Sequence, residues 1–414
     1  MTTQPSIEIL TSRPATRRDG ETLLPVLIRI SAPTPSNATT RARPRLNLSL
    51  VLDRSGSMGG SKLEHAKKAA HFAVDQLSDR DRASVVAYDN TVRVYAPSQS
   101  AANKAALHAA ISSIQTNGAT DLHGGWLEGA TQVAAHLDSG ALNRVLLLTD
   151  GLANEGITDP KLIAHNVEGL SKRAVSTSTL GVGSDFNEDL LMAMAQSGDG
   201  NFYFIESAAD LERIFALELQ GLVAQVGQKV SLGVEPREGN EVKDALNDFS
   251  RNELGRLMLP PLLTGRAIEV ALLLRIAPHV GTREVSAFRL AFDVAGEARR
   301  QVVHASLSLP SVNDAEFEAM PEDERVMAAH ALLLSARERE TITSHLERGD
   351  FASAKTHLDY MRANVAAAPM APAQMAQELA DFDELEADIA RNDSATGLKR
   401  NKSHAYVTRS NRSR

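Results

Sequence analysis

The 414-residue chain has no cysteine. Disulfide scaffolds, thiolate zinc sites and cysteine nucleophiles are therefore excluded, and the composition fits a reducing compartment. Aromatic residues make up only 4%, with one tryptophan, too few for a platform that stacks single-stranded nucleic acid. Basic charge is not in excess: 44 Lys and Arg face 52 Asp and Glu, a formal net charge of -8, so no nucleic-acid partner is expected. No run of about 18 apolar residues occurs, so no membrane-spanning helix is expected. Residues 1–20 contain no continuous apolar segment of the signal-peptide kind. A soluble cytoplasmic protein is the default expectation. The 12 histidines are scattered, with no His-Glu-x-x-His pair. GVGSDFNED at 181–189 is glycine-rich but lacks the Gly-Lys-Ser/Thr of a phosphate loop. His123-Gly124-Gly125 has the look of an esterase oxyanion loop, yet no Gly-x-Ser-x-Gly elbow accompanies it.

What is present is length and pattern. The chain is long enough for two or three domains, and 43% hydrophobic residues suffice for a large core. Two strand candidates, 7–11 and 23–31, come first, with Pro25 demoting the start of the second to an edge. A Pro/Ser/Thr/Arg-rich linker follows over 32–44. From residue 45 strands and helices alternate, which predicts a doubly wound, mainly parallel sheet with helices on both faces. Strand 46–53 leads into helix 62–77, where Leu63, Ala66, Ala70 and Ala73 recur at helical spacing. Strand 144–149 (RVLLLT) is nearly all apolar, as a strand buried on both faces should be. After about residue 225 the helical period disappears. Short strands at 229–235, 254–259, 267–275, 284–295 and 301–309 predict an antiparallel β-sandwich. The two N-terminal strands are expected to join it. Helices are predicted at 321–348, 351–364 and 374–391, and 398–414 is a basic, polar tail. The expected divisions are 1–44 with the sandwich, 45–221 α/β, 222–312 sandwich, 313–395 helical and 396–414 tail.

The stretch that organises this pattern is LSLVLDRSGSMGG, residues 48–60. A buried strand ends at Asp53, and within five residues the chain supplies one carboxylate and two hydroxyls, Asp53, Ser55 and Ser57. The loop TNGATD adds Thr120, and strand RVLLLTD ends at Asp150. In a doubly wound sheet the C-terminal ends of neighbouring strands share one edge, so these five side chains can converge. Two carboxylates and three hydroxyls, without His or Cys, favour Mg²⁺ or Mn²⁺ over Zn²⁺. Serine hydroxyls bring little negative charge, so such an ion would remain electrophilic toward an acidic group from outside.

These residues resemble the metal-ion-dependent adhesion site of von Willebrand factor A domains: Asp-x-Ser-x-Ser, then a Thr and an Asp on separate loops. All five positions match, over about residues 45–221. The resemblance implies a Rossmann-like α/β domain. It also implies hydroxyl ligation by Ser55, Ser57 and Thr120, with Asp53 and Asp150 acting directly or through water. Mg²⁺ is the implied ion, with Mn²⁺ or Ca²⁺ as alternatives, and its open position would take an Asp or Glu from a partner protein. Intracellular members of the family act with AAA+ ATPases, kinases and phosphatases, which sets the implied class of partner. The wider layout, with stretches such as GRLMLPPLLTGRAIEVALLLRI, is similar to bacterial relatives of inter-alpha-trypsin-inhibitor heavy chains and calcium-activated-channel-like proteins.

The expectation is thus a non-enzymatic, metal-dependent adaptor or scaffold. Arg54, Asp121 and Trp126 are the candidate rim contacts for a partner. Two alternatives stand beside it. One is a metal-dependent phosphohydrolase or phosphotransferase. The other is a self-associating structural protein, in which acidic helices such as EFEAMPEDE or DFDELEAD reach the metal of a neighbouring copy.

Overall fold

The computed structural model describes residues 4–32, 44–294, 297, 299–390 and 394–411. The linker expected over 32–44 lies outside the described residues except at its ends. In chain order the strands β1 (Ser6–Thr11), β2 (Thr16–Arg17) and β3 (Thr22–Ser31) come first. There follow β4 (Arg45–Asp53), α1 (Ser61–Gln76), β5 (Arg82–Tyr88), β6 (Val92–Ser100), α2 (Lys104–Ser112), α3 (Leu122–Ala134), β7 (Ala141–Thr149), α4 (Pro160–Ser171), β8 (Ser176–Val182), α5 (Glu188–Ser197), β9 (Phe202–Ile205) and α6 (Leu211–Ala224). The chain continues with β10 (Gln225–Pro236), β11 (Glu241–Ala245), β12 (Leu257–Met258), β13 (Leu262–Leu263), β14 (Ala267–Ile276), β15 (Thr282–Asp293) and β16 (Gln301–Val312). It closes with α7 (Asp314–Ala319), α8 (Glu324–Glu347), α9 (Phe351–Ala367), α10 (Pro372–Ala390) and α11 (Ser394–Arg409). Two compact units result: Met1–Thr40 with Val226–Val294 and Arg299–Arg414, and Arg41–Gln225 with Ala295–Ala298.

The second of these units is the α/β one, with strand order β6-β5-β4-β7-β8-β9. All pairs are parallel except β5 with β6. Strand β4 lies at the middle, and its two-residue period explains its sequence. Leu46, Leu48, Leu50 and Leu52 enter the core shared with α1, α2 and α6. Asn47 and Val51 face α3 instead. The Asn47 amide donates to Val133 O, and a Cβ on Gly129 would stand 2.2 Å from Val51 Cγ2. Small residues on α3 thus let the helix lie close to the sheet. β4 runs parallel to β5 on one side and β7 on the other, so the crevice beyond their C-terminal ends is a topological switch point.

The other unit holds two sheets. β1-β3-β14-β11 is antiparallel throughout. In β12-β10-β15-β16-β2 only the short β2 pairs in parallel. Alternate residues of both sheets, Leu24, Val26, Ile28 and Ile30 from one and Val230, Leu232, Phe288 and Leu290 from the other, share a single apolar core. Of the N-terminal strands, β3 lies between β1 and β14. The ladder of β1 against β3 stops at Val26, next to Pro25, which has no N–H to donate. The strand expected at 254–259 shrinks to the two residues of β12, and the expected helix 321–348 is α8 alone, capped by Asp323, which accepts from Arg325 N and Val326 N.

Residues 398–414 were read as a basic tail. The structure differs: through Arg409 they form α11, which packs along α8. Acidic partners on other elements account for it. Lys402 pairs with Glu347 at 2.8 Å, Arg400 with Glu384 at 2.9 Å, and Arg409 with Glu340.

Candidate metal centre

Strand β4 delivers Asp53 fully buried. The chain then turns through a single 3₁₀ turn, Gly56–Met58, whose Met58 side chain plugs the core beneath. Gly60, at φ +74°, redirects the chain into α1. The loop before α3 is laced to this turn: Asn117 N donates to Arg54 O at 2.8 Å, and Gly56 N donates to Gly118 O at 3.1 Å.

A continuous relay of short contacts joins four of the expected ligands. Asp53 Oδ1 accepts from Ser55 N at 2.8 Å, and its Oδ2 accepts from Thr149 Oγ1 at 2.6 Å. Ser57 Oγ donates to Asp150 Oδ1 at 2.6 Å. Its own proton being committed there, Ser57 accepts from Ser55 across the 3.0 Å that separates the two hydroxyls. Thr120 is the fifth. Its N–H donates to Asn154 Oδ1, and its carbonyl accepts from Asn154 N and Glu155 N. A Cβ on Gly151 would stand 3.5 Å from Ser57 Oγ and 3.7 Å from Thr120 Oγ1, so the two hydroxyls flank a strip of backbone that carries no side chain. Burial pushes the Asp53 carboxyl above the usual carboxylate range, against the hydrogen bonds from Thr149 and Ser55 that favour its ionised form.

Sequence reasoning missed Lys62. From the first turn of α1 its Nζ donates to Asp150 Oδ2 at 2.5 Å, and the carboxylate is fully buried. The available signal was its position in the first helical turn after the glycine pair, on the edge where the motif lies. The site therefore already holds a cation against Asp150, and its remaining donors are oxygens. The oxygens of Asp53, Ser55, Ser57, Thr120 and Asp150 are the groups here that could hold a hard divalent ion.

Two of the three expected rim residues, Arg54 and Trp126, are turned away from the site. Arg54 does not project beside the site. Its guanidinium pairs with buried Asp89 at 2.7 Å and donates to Thr91 Oγ1 and Gln115 O, because the turn aims it at the β5–β6 connection. Trp126 cannot touch a partner. It is fully buried, and its Nε1 donates to Thr177 Oγ1 at 3.0 Å. Asp121 is half-buried and caps α3 by accepting from Gly124 N at 2.8 Å. The esterase-like His123-Gly124-Gly125 is the first turn of that helix, with His123 Nε2 3.1 Å from the Asn166 amide.

The family model for the von Willebrand factor type A domain matches residues 47–217. The chain carries a von Willebrand factor type A domain. The resemblance drawn from DRSGS, GATD and LLLTDG therefore holds for the A domain as a whole. Among curated proteins, the uncharacterized protein YfbK of Escherichia coli K12 is 34% identical over 195 residues, 46% of this chain and 34% of YfbK. The uncharacterized protein sll0103 of Synechocystis is 35% identical over 188 residues, 45% of this chain and 44% of that protein. Human inter-alpha-trypsin inhibitor heavy chain H3 is 28% identical over 199 residues, 46% and 22% of the two chains. The matched segment thus spans less than half of each relative. Of solved structures, a von Willebrand factor type A protein from Catenulispora acidiphila superposes with a TM-score of 0.70 at 18% identity, over 88% of this chain and 86% of that one. The ArnB paralog VWA2 from Sulfolobus acidocaldarius gives 0.64 at 18% identity, over 98% of both chains. At such identity these two likenesses concern the fold.

Proposed function

We propose that the A domain is a metal-dependent protein-binding module in which Mg²⁺ is held by Asp53, Ser55, Ser57, Thr120 and Asp150. The relay from Asp53 and Ser55 through Ser57 to Asp150, with Thr120 alongside, is the observation that carries this reading. A bound ion would offer a positive, exchangeable coordination position to an incoming Asp or Glu of a partner. The role is that of a non-enzymatic, cytoplasmic adaptor or scaffold, and the partners fit the class of AAA+ ATPase, kinase or phosphatase systems. Neither Arg54 nor Trp126 belongs to the contact surface in this reading.

Affinity capture from native lysate with Mg²⁺ or EDTA, comparing wild type with Ser55→Ala/Ser57→Ala, tests it. A protein retained only by wild type with Mg²⁺ is the expected result. Identical captures under all four conditions would remove the metal edge as the binding surface.

Lys62 adds a second expectation. Its ammonium offsets one of the two negative charges of the site, so Lys62→Met should tighten Mg²⁺ or Mn²⁺ binding by roughly tenfold, equivalent to about 1.4 kcal/mol. Isothermal titration calorimetry checks this. Weaker binding in Lys62→Met would mean that the lysine orients Asp150 for the metal rather than competing with it.

A further inference from the structure

A second set of ligand-type side chains converges far from the A domain in sequence, between α10 and α11. Glu378 and Asp381 lie one turn apart on α10, and His404 reaches them from α11. The imidazole Nε2 is 2.8 Å from Asp381 Oδ2 and 3.3 Å from Glu378 Oε1. One ligand atom from each of the three residues lies within 4.8 Å of the others. The side chains of Glu378, His404 and Asp381 are only 8%, 9% and 18% exposed. The geometry points to a Zn²⁺ site formed by Glu378, Asp381 and His404.

Four observations support this. First, the spacing suits a shared ion. Ligands about 2.0–2.1 Å from one metal stand about 2.8–3.4 Å apart at octahedral or tetrahedral angles, the range in which both measured separations fall. Second, each carboxylate has its other oxygen held from outside the cluster. Arg339 Nη2 is 3.2 Å from Glu378 Oε2, and Gln377 Nε2 donates to Asp381 Oδ1 at 2.7 Å. Holding the outer atom so that the inner one is aimed is how surrounding groups fix metal ligands.

Third, the holder is itself rigid. Arg339 stacks its guanidinium 4.4 Å from the Phe382 ring centroid and donates to Asn401 Oδ1, while Asn401 donates back to Arg339 O and to Thr343 Oγ1. Fourth, the chemistry differs from that of the A domain. One imidazole and two carboxylates suit Zn²⁺, whereas the hydroxyl-rich set at Asp53 suits Mg²⁺.

The test uses the full chain carrying Ser55→Ala/Ser57→Ala/Asp150→Asn, which removes the A-domain ligands, so the outcome does not depend on the function proposed above. Zn²⁺ is added, free metal is removed by dialysis, and retained zinc is counted by elemental analysis alongside a thermal melt. One zinc per chain and a raised melting temperature are expected. Both should be lost when His404→Gln or, separately, Asp381→Asn is added, with circular dichroism confirming that at least one of these variants is folded. Equal zinc content with and without the added substitution overturns the site. So does the absence of retained zinc in the starting variant, which would make the cluster an ion pair between helices and nothing more.

Discussion

Gly125→Ala should destabilise the A domain by roughly 3 kcal/mol and weaken its metal binding together. In an exposed helix the same change would stabilise by about 1 kcal/mol, because alanine is the better helix former. Here packing overrides propensity. A Cβ on Gly125 would stand 2.4 Å from two ring carbons of Tyr88, which is fully buried and has no room to retreat. Tyr88 is paired with Asp53 across β4 and β5, and its carbonyl accepts from Arg54 N, so a displaced ring disturbs the turn that carries Ser55 and Ser57. Gly169→Ala in α4 is the control, since a Cβ there meets nothing within 4 Å. Denaturant unfolding of both variants decides the matter. If Gly125→Ala is as stable as Gly169→Ala, the close approach of α3 to β5 is not real. Tyr88→Val in the Gly125→Ala background should recover part of the loss, as expected for residues in contact.

Arg339→Met should cost the other unit about 3–5 kcal/mol. The arginine is 2% exposed and its partner Glu378 is 8% exposed, so removing the guanidinium takes a charge partner from a carboxylate in a setting that hydrates it poorly. The same change removes the anchor of Asn401, which ties α11 to α8. Arg339→Met/Glu378→Met should be markedly more stable than the single variant, because a removed pair is tolerated where a broken one is not. Equal stabilities of the single and double variants would show that the ion pair is not what holds these helices. Chemical denaturation followed by circular dichroism measures both.

Four of the five candidate residues could be placed together from the sequence because Asp53, Ser55, Ser57 and Asp150 lie at or just beyond the C-terminal ends of β4 and β7, where chain order and strand period fix position, whereas Thr120 comes from the loop before α3. What each neighbouring side chain does was not legible, since that depends on partners distant in sequence. Arg54 is drawn away by Asp89, and nothing local to DRSGS announces the pull. Trp126 sits on the sheet-facing side of α3, yet periodicity alone does not separate a tryptophan against a sheet from one at a rim. Lys62 was passed over as one more polar residue of an amphipathic helix, although the turn before it aims it at Asp150. The basic C-terminal segment misled for a related reason. Its charge is high in isolation, but Glu340, Glu347 and Glu384 supply the opposite sign. Composition reports charge and cannot report which charges meet.

The order of strands also sets a timetable for synthesis. Ser31 of β3 pairs with Ala267 of β14, and the whole A domain is encoded between them. At about 5–20 residues per second a ribosome needs roughly 10–50 seconds to make the intervening chain. Throughout that interval β3, with Leu24, Val26, Ile28 and Ile30 on one face, has β1 along one edge and no partner along the other. The A domain can complete its own sheet while the first strands of the chain still wait, so the nascent protein passes through a stage with one folded unit and one open, apolar β edge. That stage, more than the finished fold, presents an apolar edge to which another chain could pair.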